Sequence, residues 1–196
     1  MPLPSLHVVI ASTRPGRIGP SIADWIHSFI AQHGAFDPAL VDLAAMNLPL
    51  LDEPEHPRRR RYVHDHTKAW SRSVNSADAF VFVTPEYNYG PPPSLLNALD
   101  YLYLEWNYKP AGFVSYGGVS AGMRASARAG MTLSALKMMA VPESVPLPNV
   151  FAQLQDGAFV ANDLNRTGAG AMLNEMARWE KALRELRRQN REGLSN

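Results

Sequence analysis

Cysteine is missing from all 196 residues. Disulfides, thiolate metal ligands and cysteine nucleophiles therefore have no place in this chain, and no oxidising compartment is required. No apolar run approaches the ~18 residues of a membrane span. The N-terminal stretch MPLPSLHVVIASTRPGR has no basic segment ahead of a short apolar run, unlike a secretory signal; the expected address is the cytoplasm. Charge of one sign is scarce too. Lys and Arg number 19 against 18 Asp and Glu, a net charge of +1, which is too little to hold nucleic acid by counterion release. Neither nucleic acid nor membrane is an expected partner. Two phosphate signatures are also lacking, the G-x-G-x-x-G of dinucleotide folds and the Gly-Lys-Ser/Thr of Walker loops. No G-x-S-x-G elbow surrounds Ser12, which removes a hydrolase reading.

What is present is an alternation. Leu6 to Ala11 is short, nearly all apolar and rich in Val and Ile, as in a strand buried on both faces. Ile18, Ile22, Trp25, Ile26, Phe29 and Ile30 then recur at helical spacing up to a stop at Gly34. Ala39 to Leu43 reads as a second strand and 44–57 as a proline-rich loop. A helix is expected from about Tyr62 to Ser76. Ala79 to Thr84 is the clearest strand, halted by Pro85. The next helix places Leu95, Leu99, Leu102 and Trp106 on one face, after prolines suited to a helix entrance. A fourth strand, Ala111 to Tyr116, precedes a helix from Met123 to about Met139. Ser144 to Phe151 is expected as an edge strand, since Pro146 and Pro148 cannot donate to a ladder. A final helix from about Leu164 to Arg191 buries Met172, Met176, Trp179, Leu183 and Leu186, with Glu180 placed to pair with Arg184. This pattern predicts a single α/β domain over residues 1–196. Its five-stranded parallel sheet takes the order 2-1-3-4-5 between two helical layers.

In an open parallel sheet, ligands sit beyond the carboxyl ends of the strands where strand order reverses. Here that crevice lies between strands 1 and 3, so the loops after strands 1, 3 and 4 build the site. The first loop runs Ser12-Thr13-Arg14-Pro15-Gly16-Arg17-Ile18. It leads into a helix N-terminus, where unpaired N–H groups and the dipole favour an anion. Two hydroxyls and two guanidinium groups match the oxygens of a phosphate monoester. The second, Pro85-Glu86-Tyr87-Asn88-Tyr89-Gly90, offers aromatic faces and an amide to a flat heteroaromatic ring. The third, Ser115-Tyr116-Gly117-Gly118-Val119-Ser120-Ala121-Gly122, has paired glycines that let a ligand approach the backbone. Taken singly, each is also compatible with an ordinary solvated turn.

Together these segments resemble the NADPH-dependent FMN reductase family, which includes azo, quinone and chromate reductases. The resemblance rests on Ala-Ser-Thr-Arg-x-Gly-Arg after strand 1, Pro85-Glu86-Tyr87-Asn88 after strand 3 and Ser115-Tyr116-Gly117-Gly118 after strand 4. Asp42-Leu43, the stretch Asn47 to Pro54, and Leu96-Asn97-Ala98-Leu99-Asp100-Tyr101 add to it. It covers residues 6 to about 140. It implies a flavodoxin-like three-layer sandwich with noncovalent FMN and NADPH or NADH as donor. Phosphate contacts would come from Ser12, Arg14 and Arg17, with Thr13 and Ile18 nearby. Pro85, Glu86, Tyr87, Asn88 and Tyr89 with Ser115, Gly117 and Gly118 would hold the isoalloxazine ring. Hydride would pass through flavin N5 to a small-molecule acceptor, so no side chain is named as catalytic and no metal is expected. Tyr87, Tyr89, Tyr116 and Val119 would shape acceptor choice. The resemblance also implies a homodimer or homotetramer. Leu96 stands where relatives often carry lysine, so an oligomer contact made by that lysine is not carried over. A flavodoxin-like electron carrier and an FMN-binding regulator without turnover are the alternatives. Carriers are usually acidic, with an arginine-free phosphate loop, which sets Arg14 and Arg17 against that reading.

Two further clusters stand out. Arg58 to Arg61 either attracts the 2′-phosphate of NADPH or forms a solvated helix entrance. His64 and His66 flank Asp65, but two-residue spacing on a helix sends side chains to different faces, which opposes a shared metal site.

Overall fold

The two most apolar runs of the chain lie side by side at the centre of the sheet. In the computed structural model, which describes residues 2–193, β1 (Ser5–Ile10) and β3 (Ala79–Pro85) pair in parallel, with Leu6 opposite Ala79 and Ile10 opposite Val83. Every residue of β3 is buried, as expected of a strand covered on both faces. β2 (Asp37–Asp42) flanks β1 and β4 (Pro110–Tyr116) flanks β3, both in parallel. The path ends at β5 (Met139–Ala140), giving the order β2-β1-β3-β4-β5. This is the arrangement expected from the alternation of elements.

The fifth position departs in detail. It is shared by β5 and β6 (Val145–Leu147), which pair with the two ends of β4. Pro142 lies between them, and a residue without an N–H interrupts the ladder. The expected continuous strand from Ser144 to Phe151 is cut to three residues because Pro148 has no N–H to donate, Asn149 turns into the left-handed region at φ +44°, and a 3-10 turn over Val150–Gln153 follows. The chain then forms a small hairpin, β7 (Leu154–Gln155) and β8 (Ala158–Phe159), for which the sequence offered no reading.

Helices α1 (Gly19–His33) and the long final helix α6 (Asp163–Gly193; α2 to α5 follow below) cover one face of the sheet. Ile22, Ile26 and Ile30 of α1 pack there with Met172, Leu173 and Met176 of α6. Leu186 is exposed, contrary to expectation, and Arg187 is buried in its stead. Its guanidinium donates to Glu180 at 2.5 Å and to the Tyr108 carbonyl at 3.0 Å, and lies 3.6 Å from Asp78. Glu180 also takes the expected pair with Arg184. This cluster fastens the far end of α6 to the amino-terminal edge of the sheet.

The opposite face carries α3 (Asp65–Ser76), α4 (Pro93–Asp100) and α5 (Met123–Ala135), with Trp70, Leu95, Leu99 and Leu133 in a second core. α4 is shorter than its apolar spacing suggests. Leu102 and Trp106 are buried but lie beyond it, and Trp106 folds back to donate to the Leu99 carbonyl at 3.2 Å. α5 ends four residues before the expected Met139, which instead joins the sheet. The 44–57 segment is not all loop: α2 (Leu43–Met46) begins it, capped by the Asp42 side chain. Among the described residues, no helix is long and apolar enough to cross a membrane.

Gly112 sets how closely α6 approaches β4. A Cβ there would stand 2.6 Å from the Met172 sulfur and 2.8 Å from that of Met176. Overpacking of this kind costs about 1–3 kcal/mol. Gly112→Val should therefore lower the urea midpoint by that equivalent, with an unchanged denaturant slope.

Candidate functional site

The crevice predicted by strand order is present, and its floor is tied across the sheet. The Ala11 N–H extends β1 by donating to the Val83 carbonyl at 3.0 Å. The chain then turns through Arg14-Pro15-Gly16-Arg17, closed by an Arg17 N–H to Arg14 carbonyl bond of 3.2 Å with Gly16 at φ +72°. Proline followed by a positive-φ glycine is the type II arrangement. α1 starts immediately afterwards. Its N-cap, Ile18, supplies no side-chain acceptor, so the Gly19 and Ser21 N–H groups, with Pro20 carrying none between them, are left for an anion at the start of a 15-residue helix.

Ser12 is fully buried beneath this turn. Its Oγ accepts from the Tyr116 hydroxyl at 3.2 Å, a bond linking the end of β4 to the loop after β1. Burial pushes the Tyr116 phenol up to about 12, so it stays protonated and able to donate. Gly19 makes this packing possible: a Cβ would lie 2.5 Å from Ser12 Oγ and 2.9 Å from the Tyr116 oxygen.

The two arginines of the loop differ. Arg17 meets Asp42 at the end of β2 in a fork of 2.6 and 2.5 Å, and also donates to the Ser12 carbonyl. The hydrogen bond from Arg17 holds the Asp42 carboxyl below its ordinary range, while Asp42 raises the guanidinium further. Arg14 is exposed, lines the cleft and pairs with no carboxylate among the described residues.

The second loop is a tight turn. Tyr87 and Gly90 exchange backbone hydrogen bonds of 2.9 and 3.0 Å, with Asn88 at φ +48° and Tyr89 at φ +68°. Two consecutive positive φ angles define the type I′ geometry, here without glycine at either central position. Glu86 is bound outward to α5: Oε1 accepts from Arg124 Nε at 2.7 Å and Oε2 from the Arg124 N–H at 3.2 Å. The third loop is held by β6 and the residues after it. Gly117 and Gly118 carbonyls accept from Val150 and Asn149 N–H groups. Gly122 closes the loop at φ +75°, where a Cβ would stand 2.6 Å from the Tyr116 nitrogen.

These loops enclose one cleft of about 430 Å³. Of the residues expected from sequence, Arg14, Arg17, Ile18, Pro85, Glu86, Tyr87, Gly117 and Gly118 line it. Ser12 lies beneath, and Thr13 faces a separate hollow between α2 and α4. Asn88 and Tyr89 form the rim, and the Ser115 hydroxyl is spent on the Ala121 carbonyl at 2.9 Å. The site reading did not include Gly16, Val150 or Phe151, all part of the lining. Tyr116, expected to shape acceptor choice, lines the cleft as well. Gly16 was legible as the turn residue after Pro15. Val150 and Phe151 carried no signal, because their stretch reads as strand and the turn at Asn149 delivers them here.

A family model described as NADPH-dependent FMN reductase matches residues 4–152, which includes all three loops and the strands that carry them. The chain belongs to the NADPH-dependent FMN reductase family. An NAD(P)H-dependent FMN reductase of Schizosaccharomyces pombe is 46% identical over 125 residues, 63% of this chain and 62% of that protein. The chain thus spans less than two thirds of that relative. The corresponding protein of Saccharomyces cerevisiae is 38% identical over 142 residues, covering 67% of this chain and 74% of its own length. Among solved structures, the flavoenzyme NAD(P)H:(acceptor) oxidoreductase of Paracoccus denitrificans superposes with a TM-score of 0.72 at 18% identity, over 92% of this chain and 98% of its own. That likeness is one of fold. Membership makes the chain an oxidoreductase of the FMN type.

The two side clusters are also resolved. His64 caps α3 from outside the helix, so its ring stacks on that of His66 at 5.1 Å instead of pointing to another face. Both approach Asp52, at 3.9 and 3.0 Å. Among the described residues, no group of three His, Asp or Glu is arranged to hold a metal ion. Each arginine of the run is engaged: Arg58 with Tyr103, Arg59 and Arg61 with Glu55, and Arg60 with the buried Glu105.

The Arg17–Asp42 fork has a pH signature. Because the folded-state pKa of Asp42 is depressed, its stabilisation is complete above the ordinary value near 3.8 and is lost as pH falls through the lower folded value. Asp42→Asn should melt below the parent protein at neutral pH by roughly 1 kcal/mol equivalent. The gap should close as the pH drops below 4; a gap constant down to pH 2.5 would contradict the assignment.

Proposed function

We propose that the whole chain is a single FMN-binding domain that holds one FMN noncovalently and passes reducing equivalents from NADPH or NADH to a small acceptor. Quinones, azo compounds, chromate and free flavin are the acceptor classes considered. The reading is carried by one observation. Three separate loops meet in one cleft with an anion-ready helix start at one end and an open glycine pair at the other.

The residues fit the group. A monoester dianion at the 12–18 turn would meet the α1 N–H groups and Arg14, with Arg17 held alongside by Asp42. Gly118 has open space where a Cβ would stand, so a flat ring can lie against its backbone. Pro85 and Tyr87 line the same space from the other loop. FMN, when bound, supplies the redox chemistry by taking hydride from the nicotinamide and yielding electrons to the acceptor. The protein's part is to orient. Tyr116 keeps Ser12 oriented from below, and the Glu86 carboxylate, part of the lining, is held by Arg124. The cleft is open on one side, which suits several acceptors of different shape. Assembly as a homodimer or homotetramer and a cytoplasmic location belong to the same proposal.

The test begins with the purified protein and the flavin it releases on denaturation, expected to be FMN. Anaerobic mixing with NADPH should bleach the bound flavin, and adding a quinone should restore its colour while NADPH is consumed. Flavin that stays oxidised under excess NADPH and NADH would leave a binding protein or single-electron carrier instead of a reductase.

A further inference from the structure

None of the 58–61 arginines lines the cleft, whereas α5 brings two arginines to the turn at its edge. We infer that Arg124 and Arg128 of α5, together with Tyr89 at the cleft rim, form a seat for the 2′-phosphoadenosine end of NADPH. This rests on the function proposed above and extends it to the choice between the two nicotinamide donors.

Spaced four apart, the two arginines share one face of α5, and that face meets the Tyr87–Gly90 turn. The Arg124 guanidinium lies 3.9 Å from the centre of the Tyr89 ring. Its Nε is taken by Glu86 at 2.7 Å. Arg128 reaches the other end of the turn, with Nη1 3.6 Å from where a Gly90 Cβ would stand. It is exposed and pairs with no carboxylate among the described residues. Two guanidinium groups against one carboxylate leave a surplus positive charge at this rim.

Tyr89 points to the same use. It is 62% exposed although held at φ +68°, a conformation unfavourable to a bulky residue and characteristic of functional positions. An exposed aromatic ring backed by a guanidinium is a stacking platform for a purine. A neighbouring unpaired arginine fork suits a phosphate monoester. Glu86 lines the cleft and grips Arg124, so this rim adjoins the cleft in which the nicotinamide would lie. NADH, lacking the 2′-phosphate, would gain only the stack.

The measurement is selectivity, expressed as the ratio of kcat/KM for NADPH to that for NADH, in the parent FMN-loaded protein, Arg128→Ala and Arg128→Lys. Binding of adenosine 2′,5′-bisphosphate and of AMP is measured by calorimetry on the same samples. Arg128→Ala should lower the selectivity roughly tenfold and weaken the bisphosphate by a similar factor relative to AMP, with Arg128→Lys intermediate. An unchanged ratio, or equal binding of bisphosphate and AMP by the parent protein, overturns the assignment. If neither nicotinamide is oxidised, the proposed function falls; bisphosphate binding that Arg128→Ala abolishes would still uphold the phosphate seat, and its absence would remove that too.

Discussion

Everything in the cleft depends on the parallel pairing of β1 with β3. The chain leaves β1 toward one edge of the sheet and enters β4 toward the other, so α1 covers one face while α4 covers the opposite one. The two connections diverge, and the carboxyl end of the β1/β3 pair is left uncovered. Buried apolar side chains fix this register, because a shift of one residue would turn the Leu6, Val8 and Ile10 set away from its core. The loops need not find each other during folding. The sheet delivers them together.

Upon that frame the charges are distributed with restraint. One arginine of the first loop is neutralised by Asp42 on β2, and the acid of the second loop is neutralised by Arg124 on α5. Both pairs are lateral ties from outside the cleft, so the interior carries little unbalanced charge beyond Arg14 and the start of α1. Such an interior can accept a dianion at one end without repelling an electron-rich ring at the other. Buried hydroxyl contacts do the remaining alignment: Tyr116 and Ser12 join two strands' loops below the level at which a ligand would rest.

How much of this was legible in the sequence follows from what each signal reports. Strand order and the three loops were readable, because apolar runs and the glycines and prolines between them report local backbone demands. Relations between distant segments were not. Nothing around Asp42 signals that its partner is Arg17, and Ser115 reads as a site hydroxyl although it is consumed by the Ala121 carbonyl. The apolar spacing of Leu102 and Trp106 extended a helix that in fact ends at Asp100, since burial in a folded-back segment leaves the same periodic trace as a helical stripe. The His64 and His66 pair failed for a related reason: the face argument assumed both lay within the helix, and one caps it. Phe151 and Val150 reach the cleft through the left-handed turn at Asn149 and the 3-10 turn after it, where the apolar pattern alone reads as continued strand.

The thioethers beneath β4 have a consequence for durability. Met172 and Met176 are fully shielded from solvent, and Gly112 leaves them no spare volume on the sheet side. A sulfoxide oxygen at either sulfur would be both too large for the gap and stranded without a hydrogen-bond donor. Oxidative damage at these positions must therefore wait for α6 to lift from the sheet. The Arg187–Glu180–Asp78 cluster, which restrains that lifting at the helix's distal end, acts as a guard against chemical ageing of the core.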